Sequence, residues 1–359
     1  MVIRVLHTEW SEGWGGQEIR IINEMKALRA YGVEVFLACR DHALIKQKAI
    51  ENNIQVFVLP FKGNADFITI FMLAYIIKKH SIDIVNTHSG KDTWVGGLAA
   101  KLAGVRFIRT RHLSNPIKAS RLNFINELAD YIFTTGESIK SNMIRYNRIN
   151  PEKIESIPTG VDDNLFNPIK YKRSECKKLF KIHQGYIAIG IIAVLRQFKR
   201  HDLFLRMAKK IIQTYPNKKF VFIIAGDGPQ KENIISWVED LGLSNNVILL
   251  GHVDQVAELL TALDFIVLSS DSKEGVPQSV IQSLMMNKAV VSSNSGSTED
   301  LFYRDNFELV KTRSANALFD GLTNLIKKDK EINSRNFIVS NFSLEVMARK
   351  ILSIYKGLI

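Results

Sequence analysis

A chain of 359 residues exceeds one ordinary hydrophobic core and suits two α/β domains of about 100 to 200 residues each. Hydrophobic residues make up 46% of the sequence and charged residues 23%, with no long block rich in Pro, Gly or Ser, which excludes an extensively disordered protein. The net charge of +12 favours an anionic partner, which could be a nucleic acid, a lipid headgroup or a phosphorylated metabolite.

The N-terminal segment and the cysteines indicate the compartment. Residues 1–7 are apolar but contain Arg4 and run into acidic residues, so they predict a β-strand rather than a signal peptide. Cys39 and Cys176 lie far apart without ligand spacing, which argues against a disulfide framework and a cysteine metal site. We therefore expect a cytoplasmic protein.

The longest apolar run covers residues 67–77 and is too short to span a bilayer, which takes about 20 residues. It predicts a helix, for which two interpretations stay open. The helix either faces the protein core or, with Lys78 and Lys79 behind it, rests on a membrane surface.

Apolar, strand-like segments alternate with longer helical patterns along the chain. The first half contains predicted strands at 3–7, 33–39, 55–59, 82–87, 107–112 and 131–134. The second half contains predicted strands at 186–195, 219–225, 246–250, 265–269 and 289–292. This βαβ rhythm predicts an α/β fold of two Rossmann-like, doubly wound parallel-sheet domains.

A turn-rich segment separates the two halves. The sequence SIPTGVDDNLFN, at 156–167, combines Pro, Gly and paired Asp before a basic stretch. We therefore predict an N-terminal domain at 1–168 on the acceptor side and a C-terminal donor domain at 169–340. The remaining segment, 341–359, predicts a helix that could pack on either domain, including back on the N-terminal one.

Open α/β sheets bind ligands beyond the carboxyl ends of their strands, so the residues that follow each strand are the candidates. After the first strand, Gly15 and Gly16 precede a helix start, where the backbone can approach a ligand and offer N–H groups to an anion. The spacing is not G-x-G-x-x-G, and an ordinary strand-to-helix turn explains two glycines almost as well.

The first strand of the second half ends in LRQFKRH, which places Arg196, Lys199 and Arg200 at the ligand edge. Arg and Lys are both phosphate ligands, so a diphosphate is the natural partner. A merely solvated basic face is disfavoured, because positive charge opposes the macrodipole at a helix start. The next strand runs into AGDGP, where Gly226 and Gly228 predict a turn before another helix.

The segment DSKEGVPQSVIQSL, at 271–284, is the most specific pattern in the chain. Glu274 precedes a Gly-Val-Pro turn, after which a helix should begin with Gln282 about one turn inside it. This arrangement would set Glu274 against sugar hydroxyls and Gln282 against a ribose, although Glu274 could instead cap the helix. The residues at the helix start would meet a phosphate or hydroxyl: Val276, Pro277, Gln278 and Ser279.

Jointly these elements resemble glycosyltransferase family 4, the retaining GT-B enzymes, over nearly the whole chain. The likeness comprises the Gly15-Gly16 loop, His112 in RTRH, IPTGVD before the linker, Arg196 and Lys199, the AGDGP turn, and the element that begins at Glu274. The EWSEGWGGQEIR and LRQFKRH segments look most like the enzymes that build bacterial lipopolysaccharide and other surface glycans. The resemblance implies a GT-B fold, in which two Rossmann-like domains face a cleft.

The resemblance also implies roles for individual residues. Arg196 and Lys199 would neutralise the donor diphosphate, and Glu274 would orient the donor sugar. Residue 282 would hold the ribose hydroxyls, and the loop at 15–16 would close on the donor.

His112 would contact the donor sugar or the acceptor, with a histidine bonded to local backbone as the alternative. His88 and Lys91, in NTHSGKD, are similarly placed, but we do not predict that they are catalytic. The chain departs from the family pattern where Gln282 replaces a Glu and Arg200 replaces a Gly. Gln still accepts a hydrogen bond, so we expect altered or weaker nucleotide binding rather than none.

The expected reaction is departure of a nucleoside diphosphate and attack by an acceptor hydroxyl on the same face of the anomeric carbon. No D-x-D element follows a predicted strand, so we expect no metal ion and no cofactor, with the nucleotide sugar as a substrate. The expected partners are this donor and a glycan or lipid-linked acceptor, with peripheral contact with the inner membrane left open and no nucleic acid.

Other functions remain open at this stage. A nucleotide-sugar epimerase or hydrolase could share the scaffold and would need no acceptor. The net charge suggests a polyanion-binding protein, although the basic residues are dispersed and lack a recognition motif. Gln282 is the one argument for a non-catalytic sugar-binding protein.

Overall fold

The structure is a computed structural model that describes residues 2–113, 117, 121–271, 274–301, 306–311, 314–328 and 333–359, with backbone alone at 121–123. Its first part alternates strands and helices. The strands there are β1 (Arg4–Glu9), β2 (Glu34–Cys39), β3 (Gln55–Val58), β4 (Ile84–Thr87), β5 (Arg106–Arg111), β6 (Tyr131–Thr134) and β7 (Ile154–Ser156). The helices there are α1 (Gly16–Arg29), α2 (Leu44–Glu51), α3 (Phe67–Lys79), α4 (Gly90–Ala103) and α5 (Glu137–Asn147).

The second part repeats the alternation. Its strands are β8 (Ile187–Ile192), β9 (Phe220–Ala225), β10 (Val247–Gly251), β11 (Phe265–Leu268), β12 (Ala289–Ser293) and β13 (Phe307–Val310). Its helices are α6 (Arg173–Leu179), α7 (His201–Thr214), α8 (Lys231–Asp240), α9 (Val256–Ala262), α10 (Gln278–Met285), α11 (Ala315–Lys327) and α12 (Arg335–Phe342). The last helix of the chain is α13 (Leu344–Leu358).

The chain forms two compact units, unit 1 (Met1–Gly160 and Leu344–Ile359) and unit 2 (Val161–Ser343). The division falls at Gly160 rather than at the predicted 168, because the Val161 N–H donates to the Phe342 carbonyl and Phe166 is part of the unit 2 core. Helix α13 belongs to unit 1, where Tyr355 is fully buried in a core that also contains residues of α1.

Each unit contains one parallel sheet with a change of direction in its strand order. In unit 1 the order is β3-β2-β1-β4-β5-β6-β7, which reverses between β1 and β4. In unit 2 the order is β10-β9-β8-β11-β12-β13, which reverses between β8 and β11. Two doubly wound parallel sheets confirm the predicted fold class, and the two reversal points are where such sheets bind ligands.

Two edge strands, β7 and β13, were not predicted from the sequence. Strand β7 has three residues with a glutamate in the middle, and β13 reads Phe-Glu-Leu-Val. Each lies at the edge of its sheet and pairs with one neighbouring strand. An edge strand is less completely covered than a central one, so its residues need not form a continuous apolar run. Short, mixed segments of this kind carry little strand signal.

Helix α3, which the apolar run forms, has one buried face and one exposed apolar face, and its contact with a membrane stays a prediction. One face is buried through Ile70, Leu73 and Ile77, which pack in the unit 1 core. The opposite face exposes five large apolar side chains to solvent: Phe67, Ile68, Phe71, Met72 and Tyr75. Among the residues that the structure describes, no helix is long and apolar enough to cross a membrane.

Candidate active site

The loops after β8 and β11 meet at the reversal point of the unit 2 sheet. Lys199 Nζ lies 2.5 Å from Glu274 Oε1, and the two side chains are 14% and 9% exposed. The backbone fixes this pair, because the Asp271 N–H donates to the Phe198 carbonyl and the Ser269 hydroxyl donates to the Lys199 carbonyl. The structure therefore brings two of the predicted catalytic residues into direct contact, and Glu274 does not cap a helix.

Helix α10 begins four residues after this glutamate, as the sequence predicts. Pro277 occupies the position before the first turn, and Gln278 and Ser279 begin the helix. Val276 and Pro277 are buried, whereas Gln278, Ser279 and Gln282 are partly exposed. The helix start therefore stands beside Glu274 with N–H groups that an anion can use.

Arg196 is exposed, and within the described part of the chain its side chain makes no hydrogen bond or ion pair. A long, unpaired cation beside a half-buried one can move to meet a phosphate group. Its predicted role in diphosphate binding stays a prediction.

Arg200, the departure from the family's glycine, adopts the left-handed conformation at φ +53° as the residue that precedes α7. Its guanidinium donates twice to the Asp202 carboxylate, at 2.9 and 2.7 Å. Asp202 in the first turn thus neutralises the charge that would otherwise oppose the helix dipole. Of the three cations in LRQFKRH, Arg200 is therefore accounted for without a ligand.

The Arg200→Gly substitution tests this assignment. Glycine relieves about 1 kcal/mol of left-handed strain, while the loss of a partly exposed ion pair costs about 0.2 to 1 kcal/mol. We expect the free energy of unfolding to change by less than about 1 kcal/mol and the donor KM to stay the same. A tenfold rise in donor KM would show that Arg200 binds the donor.

The glycines of AGDGP have a packing reason at this site. Gly226 and Gly228 have φ of +143° and +151°, and a Cβ on Gly226 would lie 1.9 Å from the Ala193 carbonyl oxygen. The Leu195 N–H donates to the Asp227 carbonyl and its carbonyl accepts from Gln230, so the loops after β8 and β9 lie directly against each other. Donor binding by these glycines is still a prediction, and their close backbone packing is what the structure shows.

Gly296, in the loop after β12, is a site residue that sequence reasoning missed. It has φ +59°, and a Cβ there would lie 1.7 Å from the carbonyl oxygen of Glu274. The signal was the glycine in SNSGS directly after a strand, but its contact with Glu274 joins residues far apart in the chain. The absence of a side chain at Gly296 therefore allows the Glu274 backbone to take its observed position.

In unit 1 the reversal point between β1 and β4 contains two buried carboxylates. Asp92 accepts hydrogen bonds from the Thr8 hydroxyl and from the His88 and Ser89 N–H groups at 2.7, 2.9 and 2.7 Å. Glu9 accepts from the Gln17 side chain and the Ser11 N–H. The second pair of bonds ties the Gly15-Gly16 loop to the end of β1.

The Gly15-Gly16 loop leads directly into α1. Gly15 precedes the helix, its N–H donates to the Glu18 carboxylate at 2.9 Å, and Gly16 is the first helical residue. Glu18 thus satisfies one backbone donor of the loop. The predicted donor contact of these glycines stays a prediction.

Burial, reinforced by the nearby Asp92 carboxylate, raises the pKa of Glu9 to about 8. The folded state therefore binds more protons than the unfolded state between about pH 4.5 and 8, and stability falls as the pH rises through that window. The Glu9→Gln variant keeps an acceptor oxygen and removes the charge. We expect it to raise the Tm at pH 8.5 and to change the Tm much less at pH 5.

Calorimetry at the two pH values checks this expectation. Glu51→Gln, which alters an exposed carboxylate on α2, is the control and should shift the Tm little at either pH. An equal Tm shift for Glu9→Gln at both pH values would contradict the prediction.

Three histidines lie side by side on neighbouring strands of unit 1. His7 is in β1, His88 follows β4, and His112 follows β5. His7 Nδ1 lies 2.9 Å from His88 Nε2, and His88 Nδ1 lies 3.0 Å from His112 Nε2. The His112 side chain is thus hydrogen-bonded to another histidine and not, as the alternative interpretation had it, to the local backbone.

His7 was not predicted from the sequence. It lies within the apolar strand β1, where the pattern indicates core packing and not a role in a site. The imidazole nitrogens of these three rings point at one another rather than at a common centre. Consistent with this, the described residues contain no group of three or more His, Cys, Asp or Glu side chains arranged to hold a metal ion.

The fold matches that of solved structures. A glycosyltransferase from Rickettsia africae has a similar structure, with a TM-score of 0.89 and 21% identity, covering 99% of this chain and 98% of that one. Anabaena HepE, solved in complex with UDP and glucose, has a TM-score of 0.85 and 17% identity, covering 99% of this chain and 100% of that one. These likenesses confirm a GT-B fold.

The family follows from the sequence matches. Residues 14–165 match the model of Glycosyltransferase Family 4, and residues 173–341 match that of Glycosyl transferases group 1. The chain belongs to the group 1 glycosyl transferases and is an enzyme of that class. A relative in Escherichia coli is 24% identical over 98% of this chain and 96% of its own length. It is named UDP-Gal:alpha-D-GlcNAc-diphosphoundecaprenol alpha-1,3-galactosyltransferase.

Proposed function

We propose that the chain is a retaining glycosyltransferase of surface-glycan synthesis that moves a sugar from a nucleotide-sugar donor to a hydroxyl of a lipid-linked glycan. The contact between Lys199 and Glu274 at the reversal point of the unit 2 sheet carries this proposal. The name of the Escherichia coli relative, with a UDP-sugar donor and a diphosphoundecaprenol acceptor, supports these substrate classes. HepE, solved with UDP and glucose, supports a uridine nucleotide donor.

The chemistry of the pair fits the departure of a diphosphate. Among the described residues, Lys199 Nζ pairs with one carboxylate, that of Glu274, which leaves it donors for a phosphate oxygen. Glu274, paired with this ammonium, accepts hydrogen bonds from sugar hydroxyls and so fixes the sugar relative to the phosphate. In a half-buried site such charge compensation acts more strongly than in water.

Attack by the acceptor hydroxyl on the same face from which the diphosphate leaves gives retention without a protein nucleophile. The main task of the protein is then to stabilise the negative charge that develops on the leaving phosphate. Lys199 and Arg196 stabilise this charge together with the N–H groups at the start of α10. We propose that these cations make activity independent of a divalent metal, so that transfer persists in EDTA.

A donor screen tests the proposal. Purified protein is mixed with each common UDP-, GDP- and ADP-sugar in EDTA, and nucleotide release is read with and without a membrane glycolipid extract. Acceptor-dependent release from one donor class supports transfer. Release that needs no acceptor assigns a hydrolase or epimerase, and loss of release in EDTA refutes metal independence.

We further propose that the exposed face of α3 contacts an anionic bilayer on its cytoplasmic side. Phe67, Phe71 and Tyr75 recur at helical spacing and are 67%, 64% and 64% exposed. Lys78 and Lys79 end the helix, and Asp66 at its start is buried as the cap. Apolar side chains with aromatics on one face and lysines at the end are typical of a helix that lies in a lipid interface.

Vesicle co-sedimentation checks this contact. We expect the full chain to bind phosphatidylglycerol-containing vesicles more tightly than pure phosphatidylcholine vesicles. A Phe67→Ser/Phe71→Ser double variant should bind the anionic vesicles roughly tenfold more weakly. Ile169→Ser, at a side chain that is 88% exposed in unit 2, is the control and should bind like the wild type.

Equal binding of the double variant would refute the contact. Self-association of the wild type that disappears in the double variant would assign the face to a second copy of the chain instead.

A further inference from the structure

We infer that His88, backed by His7, is a positioning residue that holds His112 in the single tautomer that carries its hydrogen on Nδ1. The kinetic part of this inference rests on the proposed contact of His112 with substrate. Its structural part concerns the hydrogen bonds of unit 1 alone and can be tested without activity.

The three rings form one continuous chain of hydrogen bonds. His7 and His88 stack with their ring centroids 5.2 Å apart and planes 10° from parallel, and the His88 and His112 centroids are 5.3 Å apart. His88 uses both ring nitrogens in the chain, one towards each neighbour. His88 therefore links the two outer rings and has no nitrogen left for another role.

The surroundings keep all three rings neutral. Burial lowers the pKa of His7 to about 3, and burial with neighbouring positive groups lowers the pKa of His88 and His112 well below the usual value. The Arg20 guanidinium contributes to the shift in His88 and His112. A neutral imidazole carries one N–H, so each ring can donate through one nitrogen and must accept through the other.

This rule leaves two arrangements for the whole chain. In the first, His7 donates from Nδ1 to His88, His88 donates from Nδ1 to His112, and the His112 hydrogen is on Nδ1. In the second, His112 donates from Nε2 to His88 and His88 donates from Nε2 to His7. The hydrogen of His7 is then on its own Nε2. The arrangement at one end therefore dictates the arrangement at the other.

The buried end of the chain selects the first arrangement. His7 Nε2 is buried and has no hydrogen-bond partner in the described residues. The second arrangement would leave an orphaned N–H there, whereas the first leaves an unfilled acceptor, which is the better tolerated of the two. His112 Nε2 is then an acceptor occupied by His88, and His112 Nδ1 is an N–H donor.

The consequence for the enzyme is that His112 can donate but cannot act as a base. An Nδ1–H recognises an acceptor oxygen, such as a sugar hydroxyl, a ring oxygen or a phosphate oxygen. Because the ring stays neutral, this donor should persist at pH values where a free histidine becomes charged.

Histidine-selective ¹⁵N NMR of the full chain tests the inference. In the wild type we expect the His112 ring signals of an Nδ1–H tautomer. His88→Phe removes the imidazole that bonds to His112 and should abolish the single tautomer of His112. His88→Gln keeps an amide donor at this position and should retain more of that tautomer. Thr87→Val alters the adjacent buried residue but not the chain and should leave the His112 tautomer unchanged.

Kinetics supply a second readout. We expect kcat to fall about tenfold in His88→Phe, as for the loss of one fixed hydrogen bond. His88→Gln should recover part of that loss. Wild-type activity should be flat between about pH 5.5 and 7, because burial and the neighbouring arginines keep the His112 ring neutral. The same surroundings remain in His88→Phe, so its loss of kcat should not depend on pH in this range.

The wild-type spectrum alone can overturn the inference, even if every variant unfolds. An Nε2–H tautomer for His112, or a mixture of tautomers, contradicts it. If the tautomer is as inferred but no variant changes kcat, the positioning stands and the proposed substrate contact of His112 fails.

Discussion

Lys199→Ala is expected to lower kcat by about 10²- to 10³-fold, the cost of removing one preorganised group that stabilises developing negative charge. The Lys199 side chain is mostly buried, and its Nζ lies 2.5 Å from Glu274 Oε1 at the reversal point of the unit 2 sheet. Its loss removes positive charge from the leaving phosphate and frees Glu274 as an unpaired carboxylate that repels that phosphate. Steady-state kinetics with the donor identified by the screen measure the loss.

Two variants make the result interpretable. Lys328→Ala breaks another lysine–glutamate pair, 2.6 Å from Glu308, and should leave kcat unchanged. Glu274→Gln keeps a hydroxyl acceptor without the charge and should lose less activity than Glu274→Ala. An unchanged kcat in Lys199→Ala would remove the pair from the mechanism.

Gly296→Ala is expected to lower kcat by about 10²-fold, as for a displacement of roughly 1 Å at a catalytic group. The new Cβ would lie 1.7 Å from the Glu274 carbonyl oxygen, so the backbone that carries Glu274 must move. The left-handed conformation at φ +59° adds strain of about 1 to 2 kcal/mol. Kinetics and thermal unfolding together separate displacement from strain.

Gly242→Ala supplies the matched control. Gly242 has φ +68°, but a Cβ there would meet nothing within 4 Å. It should lose only the stability that the left-handed strain costs, about 1 to 2 kcal/mol, and keep full activity. If both variants lose stability equally and keep kcat, Gly296 does not position Glu274.

Much of the fold could be predicted from periodicity. Parallel strands buried on both faces read as continuous apolar runs, and β6 was predicted residue for residue. The domain boundary was harder to predict from the sequence. Val161 belongs to unit 2 because its N–H donates to the Phe342 carbonyl, and Phe166 because it packs in the unit 2 core. Contacts between residues so far apart leave no local pattern.

Site residues could be predicted where a charged side chain directly follows a predicted strand. Lys199 and Glu274 were found because each stands after a strand, but their direct contact needed the order of the sheet. Gly296 and His7 were missed because their importance lies in a neighbour brought close by folding. Arg200 shows the reverse case, in which a residue that looked available for a ligand is held by Asp202.

The most direct test of the central claim is to detect the product. Wild-type protein is incubated in EDTA with a UDP-hexose and a polyprenol-diphosphate-linked sugar, and the acceptor is analysed by mass spectrometry and by NMR of the new anomeric centre. We expect an acceptor heavier by one hexose with the donor's anomeric configuration, and no such product from Lys199→Ala. An inverted product, or equal product from wild type and Lys199→Ala, would contradict it.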